Sequence, residues 1–170
     1  MAANPPGVVI TELAADSPQM ATARELLREY MRSEAMKLCV QDSEGELASL
    51  PFIYAPPAGC LWLAQLGGVP AACVALRRLD ATRCEMKRLY VRAAFRGAGL
   101  AGILVERVIE RARALGCREV FLDTLPEMRA ARLIYDMLGF RACPPYLAVP
   151  TPGADCLVLE LSGPLAAHEQ

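Results

Sequence analysis

Between positions 96 and 102 the chain reads Arg-Gly-Ala-Gly-Leu-Ala-Gly, and the run joins a β-rich segment to a helical one. Glycines at such a junction let the backbone approach a ligand closely and leave amide N–H groups unblocked. Those amides sit at the positive end of the helix dipole, where phosphate binds. Arg96 adds a fixed charge with several donors. A plain glycine-softened turn is the competing reading. The helix spans residues 99–115: Leu100, Leu104, Val105, Val108, Ile109, Ala112 and Leu115 share one face, Glu106, Arg107, Glu110, Arg111 and Arg113 the other, and Gly116 caps it. Residues 119–124 then form a β-rich run, so strand, helix and strand imply a parallel crossover.

The flanking chain builds around that unit. Residues 8–13 read as a first strand, and Asp16 or Ser17 before Pro18 signals a helix carrying Leu26, Leu27, Tyr30 and Met31. A second, weaker helix is expected over 33–40, then an irregular proline-rich loop over 41–59 with Pro51, Pro56 and Pro57. Residues 60–66, 71–79 and 83–91 are strands, joined by turns too short for crossovers and so antiparallel. Pro126 opens a helix ending near Leu138 with Gly139 as its cap, and 155–161 is a last strand. The expected fold is α/β (α+β): one domain over 1–170, core about 8–162, flexible ends, and a mixed, mostly antiparallel sheet with helices on both faces.

With 18 basic against 19 acidic residues the net charge is −1, and no basic stripe is visible, which argues against nucleic acid or anionic membrane as partner. No apolar run approaches the roughly 18 residues of a membrane span. Residues 1–7 lack a positive charge followed by an apolar core, so no signal peptide is expected. Seven cysteines lie at no metal-type spacing, and the single histidine is His168, so no metal site is expected. Several cysteines sit in apolar runs as small core residues, which suits a reducing, cytoplasmic setting.

Three phosphate motifs compete for the glycine run. A Walker loop requires Gly-Lys-Ser/Thr, but Gly102 is followed by Ile103 and Leu104. The dinucleotide fingerprint G-x-G-x-x-G is matched by Gly97, Gly99 and Gly102, with Asp123 ending the next strand. Against it, five residues separate Val91 from Gly97, and Glu85, Lys87 and Arg88 interrupt a strand that should be nearly all apolar. The third pattern, R/Q-x-x-G-x-G/A, is filled by Arg96, Gly99 and Ala101. Here the sequence resembles the GNAT superfamily of acyl-CoA N-acyltransferases. The likeness extends from Glu85-Met86-Lys87-Arg88-Leu89-Tyr90-Val91 to Leu133-Ile134-Tyr135-Asp136-Met137-Leu138-Gly139-Phe140, with its Tyr-x-x-x-Gly-Phe ending. Met128 departs from the pattern, standing where many members carry asparagine seven residues before the tyrosine.

The resemblance implies acetyl-CoA (coenzyme A) as co-substrate, its pyrophosphate on the amides of Gly97, Ala98, Gly99, Leu100 and Ala101 with help from Arg96. The pantetheine arm would run along Leu89, Tyr90 and Val91, on a strand that carries a bulge. The acyl group would pass to an amine of a small molecule or peptide by direct attack. Tyr135 matches the general acid of the family, with a core aromatic as its alternative reading. Glu85 is the candidate base, with a salt-bridged strand residue as its alternative. A backbone N–H near Leu89 or Tyr90 would hold the oxyanion. Tyr54 and the 41–50 segment are candidates to line the acceptor site, where Asp42, Glu44 and Glu46 point weakly to a cationic acceptor. Family habit and a free sheet edge admit a homodimer. A non-catalytic acyl-CoA sensor of the same fold, and an NAD(P)-dependent oxidoreductase, remain open alternatives at this point.

Overall fold

In the computed structural model, which describes residues 4–33, 36, 43–57 and 59–161, seven strands form one sheet: β1 (Val8–Glu12), β2 (Gly59–Leu66), β3 (Val69–Arg78), β4 (Arg83–Val91), β5 (Glu119–Thr124), β6 (Arg141–Cys143) and β7 (Asp155–Glu160). Their spatial order is β1-β2-β3-β4-β5-β7-β6. Only β4 and β5 run parallel; every other pair is antiparallel. The four α-helices are α1 (Met20–Met31), α2 (Ser43–Ile53), α3 (Leu100–Ala114) and α4 (Arg129–Met137).

Strand alternation sends Cys60, Trp62, Ala64, Val74, Leu76, Cys84 and Met86 to one face of the sheet, where α3 buries Leu104, Val105, Val108 and Ala112. Leu61, Leu63, Cys73 and Ala75 face the other way, against Leu26, Leu27, Leu47, Leu50 and Tyr54 of the α1–α2 side. Both faces are covered, so β2 and β3 are nearly continuously apolar. The antiparallel β3–β4 pairing is incompatible with the all-parallel half-sheet of a dinucleotide fold, which removes the oxidoreductase reading.

Three features depart from expectation. Residues 43–53 are helical, although proline content reads as loop. Pro51 has no N–H for the Leu47 carbonyl four residues earlier, and the Nε of Arg24 on α1 donates to that carbonyl instead, at 3.0 Å. Glu44 and Glu46 complement the dipole at the helix start, and packing of Leu47 and Leu50 does the rest. Second, the short strand β6 completes the far edge, where β7 alone was expected. Third, Cys84 and Cys117 are joined by a disulfide with Cα atoms 6.2 Å apart; Cys60 and Cys73 are free and buried, as expected of small core residues. The helix expected over 33–40 and the tail from 164 lie outside the described residues. Among the described residues no helix is long and apolar enough to cross a membrane.

Gly59 opens β2 where an added Cβ would stand 2.2 Å from the Leu76 carbonyl oxygen. Gly59→Ala is expected to cost about 1–3 kcal/mol of stability through overpacking, read as a lower urea midpoint. An unchanged midpoint would mean that β2 slides aside freely.

Candidate active site

The sheet opens where β4 leaves β5. Pairing holds at Arg83↔Glu119, Cys84↔Val120 and Glu85↔Phe121, then stops, although both strands continue. The cause lies on the other side of β4. Register against β3 is Cys73↔Tyr90 but Ala75↔Lys87, so two residues, Arg88 and Leu89, oppose Val74 alone. That is the expected bulge, and a bulge bends and twists its strand. Arg88 adopts φ +60°, a conformation costly for a side-chain-bearing residue. Its guanidinium is held by Glu46 of α2: Nε donates to Oε1 at 2.7 Å, and a terminal nitrogen contacts Oε2. Tyr54 donates its hydroxyl to the same Oε1 at 2.9 Å. Burial alone would raise the Glu46 pKa, but the hydrogen bond and charge of Arg88 outweigh it and hold the carboxyl below its ordinary 4.5.

The opening contains two adjoining cavities. The larger, about 650 Å³, lies between the β4 end, the glycine loop and the start of α4. Leu89, Tyr90, Val91, Arg96, Gly97, Gly99, Leu100 and Ala101 line it, all anticipated from sequence; Ala98 does not, and Gly102, not anticipated, does. Gly97 and Gly99 have φ of +83° and +78°, and no atom lies within 4 Å of an added Cβ at either. Glycine is required by the backbone there, and the space above it is open. Gly99 is also the N-cap of α3 and offers no side-chain acceptor. The first intrahelical bond runs from Ile103 N–H to the Gly99 carbonyl, so the amides of Leu100, Ala101 and Gly102 precede it. Arg96 Nε donates to the Val91 carbonyl at 3.2 Å, tying the loop to the strand end.

The smaller cavity, about 200 Å³, continues inward between the parted strands. Tyr30, Leu89, Met128 and Ala131 line both cavities. Tyr135 lines the inner one; burial, with Tyr30 and Asp123 nearby, pushes its phenol pKa well up, so it keeps its proton. Its ring packs against Phe140 at 5.7 Å between centroids, so this tyrosine belongs to the core, its alternative reading from sequence, while also lining the cavity. Met128, the departure from the family pattern, lines both cavities and receives the Thr124 hydroxyl at its sulfur, at 3.9 Å.

Besides Ala98, two anticipated residues, Glu85 and Tyr54, line neither cavity. Glu85 is fully buried one step below the opening, with Arg77 on Oε2, the Tyr146 hydroxyl on Oε1 at 2.8 Å and Lys87 Nζ at 3.6 Å. Tyr54 is buried in the α1–α2 core and touches the site through Glu46. The acidic residues that suggested a cationic acceptor are neutralised internally: Glu44 pairs with Arg28 and Glu46 with Arg88, while Asp42 lies outside the described residues. Sequence reasoning missed Lys87, Asp123 and Thr151, which line the inner cavity. The signal was the parallel register: Lys87 and Asp123 each fall two residues beyond the last paired residues, Glu85 and Phe121. Among the described residues no cluster of His, Cys, Asp or Glu could hold a metal ion.

A sheet split beside a glycine-lined helix start defines an acyl-CoA acyltransferase fold. Residues 20–140 match the Acetyltransferase (GNAT) family, and the chain belongs to that family. It is 36% identical over 139 residues to an uncharacterised N-acetyltransferase of Schizosaccharomyces pombe, covering 81% of this chain and 85% of that one. It is 38% identical over 98 residues to N-acetylaspartate synthetase of Danio rerio, covering 56% of this chain and 35% of that one. Among solved structures, a GNAT family acetyltransferase from Elizabethkingia anophelis with acetyl-CoA bound shares the fold at TM-score 0.66 and 20% identity, over 92% of this chain and 100% of that one.

The Glu46–Arg88 pair sets a pH dependence. Because the folded pKa of Glu46 is lowered, its contribution to stability is complete above about pH 4.5 and is lost as pH falls through the folded value. Glu46→Gln is expected to cost about 1.5–3 kcal/mol at pH 7, as for loss of a charged hydrogen bond. The gap from wild type should narrow on acidification, measured by urea unfolding across pH.

Proposed function

We propose that this protein transfers an acetyl group from acetyl-CoA to the amine of a small molecule by direct attack. The observation that carries this reading is the continuity of the two cavities. A glycine-lined anion site leads along the free side of β4 to an inner chamber with a protonated tyrosine. The acetyl-CoA-bound neighbour supports the choice of co-substrate. The zebrafish relative, named for making N-acetylaspartate, puts an amino acid among the acceptors to test.

In this reading the pyrophosphate sits on the amides of Leu100, Ala101 and Gly102, beside Arg96. The pantetheine arm takes the place beside β4 that β5 vacates, on the backbone of Leu89, Tyr90 and Val91. The thioester then reaches the junction of the cavities. A β4 N–H near Leu89 or Tyr90 stabilises the oxyanion. The nitrogen–carbon bond forms, the carbon–sulfur bond breaks, and Tyr135 donates its proton to the departing thiolate. Tyr135 regains a proton from the acylated nitrogen. Glu85, its carboxylate already accepting from Arg77 and Tyr146, is buried below the chamber and does not meet the amine.

Two measurements test this. Acetyl-CoA should raise the melting temperature, and NAD(H) should not. Gly102→Ala should raise the ligand-free melting temperature, since its Cβ meets no atom within 4 Å and alanine gains about 0.5–1 kcal/mol in a helix. The same change should weaken acetyl-CoA binding by intruding on the anion site; stronger or unchanged binding would place the pyrophosphate elsewhere. Tyr135→Phe should lower kcat on the order of 10²-fold, as for loss of a general acid, with acetyl-CoA affinity retained. Unchanged turnover across pH would remove the tyrosine from the chemistry.

A further inference from the structure

The charges around the inner cavity leave a remainder. Arg88 and Glu46 neutralise each other, and Arg77 is joined to Glu85. Lys87 and Asp123 are left. Among the described residues the ammonium of Lys87 forms one ion pair, with Glu85 Oε1 at 3.6 Å, an oxygen that already accepts the Tyr146 hydroxyl at 2.8 Å; its charge also acts on Glu46, which Arg88 holds. Asp123 accepts the Thr151 hydroxyl. Among the described residues no ion pair joins Lys87 to Asp123.

Their placement follows from register. Two steps beyond the Glu85↔Phe121 pair, on the face those residues share, Lys87 and Asp123 come level across strands that have just parted. Tyr146 braces the paired residues below them without lining the cavity, its ring 4.8 Å from that of Phe121 and its hydroxyl on Glu85. A cation and an anion therefore stand on opposite arms of a chamber of about 200 Å³, which Tyr135 also lines.

We infer that this pair recognises a zwitterionic acceptor, a free α-amino acid, with its carboxylate on Lys87 and its α-ammonium on Asp123, which takes the proton that frees the nitrogen lone pair. The inference rests on the acetyl-transfer reading and specifies its acceptor. The α-ammonium gives one proton to the Asp123 carboxylate. The freed lone pair attacks the thioester carbonyl, and the thiolate leaves with the Tyr135 proton. The acylated nitrogen returns a proton to Tyr135, and Asp123 releases its own to water, so the reaction yields amide, thiol and one proton. A peptide N-terminus lacks the adjacent carboxylate and would leave Lys87 facing a neutral carbonyl.

The test is thiol release from acetyl-CoA by acidic, neutral and basic amino acids, each beside its amide and its decarboxylated amine. Wild type should favour at least one free acid over its amide in kcat/KM on the order of 10–100-fold, as for a charged hydrogen bond. Lys87→Gln should abolish that preference by raising KM for the acid, and Lys87→Arg should restore part of it. Asp123→Asn should lower kcat and change the acid limb of the pH–rate profile, while acetyl-CoA still raises its melting temperature. Amides used as well as acids by wild type, or a preference surviving in Lys87→Gln, would overturn the carboxylate role. A wild-type pH profile in Asp123→Asn would overturn the proton role. Amines acetylated without carboxylate preference sink this inference alone; no turnover of any amine together with no acetyl-CoA shift sinks the acetyl-transfer reading as well.

Discussion

The bend of β4 at Arg88 is the constraint on which the site depends. A parallel strand pair that stayed in register to its end would close the space that both cavities occupy. The bulge prevents this, and Arg88 is kept at positive φ by an ion pair reaching across to α2. Removing one partner of a buried pair strands the other charge, which is why such pairs are far harder to break than to replace whole. One interaction thus ties the backbone of the strand that lines both cavities to the helix that contributes Glu46 to the inner one.

Most of the sheet was legible because its strands are bounded by turn residues and its central members are apolar on both faces. The crossover was legible because helix α3 repeats cleanly between the glycine run and a capping glycine. The bulge was expected only through the family likeness; nothing in residues 85–91 marks Arg88 rather than a neighbour as the residue at positive φ. Helix α2 was illegible for a different reason. Pro51 argues against a helix locally, and the compensation, Arg24 on the orphaned Leu47 carbonyl, comes from 23 residues away. Local propensity has no access to a bond of that kind.

The site shows the same division. The loop residues share one short stretch, so motif and place coincide, and eight of the nine anticipated cofactor residues line the outer cavity. The inner cavity is assembled from residues of α2, β4, β5, α4 and the segment before β7, and spacing in sequence says nothing about their meeting. Glu85 looked like the base because it lies on the right strand. Its side chain lies on the same strand face as Lys87 but one pleat too deep, at the last paired position before the opening.

That one-pleat offset gives Glu85, Lys87 and Arg88 of β4 separate duties. Glu85, still inside the paired sheet, can exist there only because Arg77, Tyr146 and Lys87 meet its carboxylate. Arg88, at the bulge, is committed to Glu46. Lys87 lies between them, level with Asp123 two residues beyond the last paired position of β5, and it lines the inner cavity. The charged run that argues against a central strand in sequence is therefore the feature that makes the strand functional. Its lower residue anchors the wall, its upper residue bends the chain, and the middle one faces Asp123 across the gap. Changes in α2 or in the segment before β7 would alter the inner cavity while leaving the Gly97–Gly102 end of the outer one untouched, so the two cavities rest on separable parts of one fold.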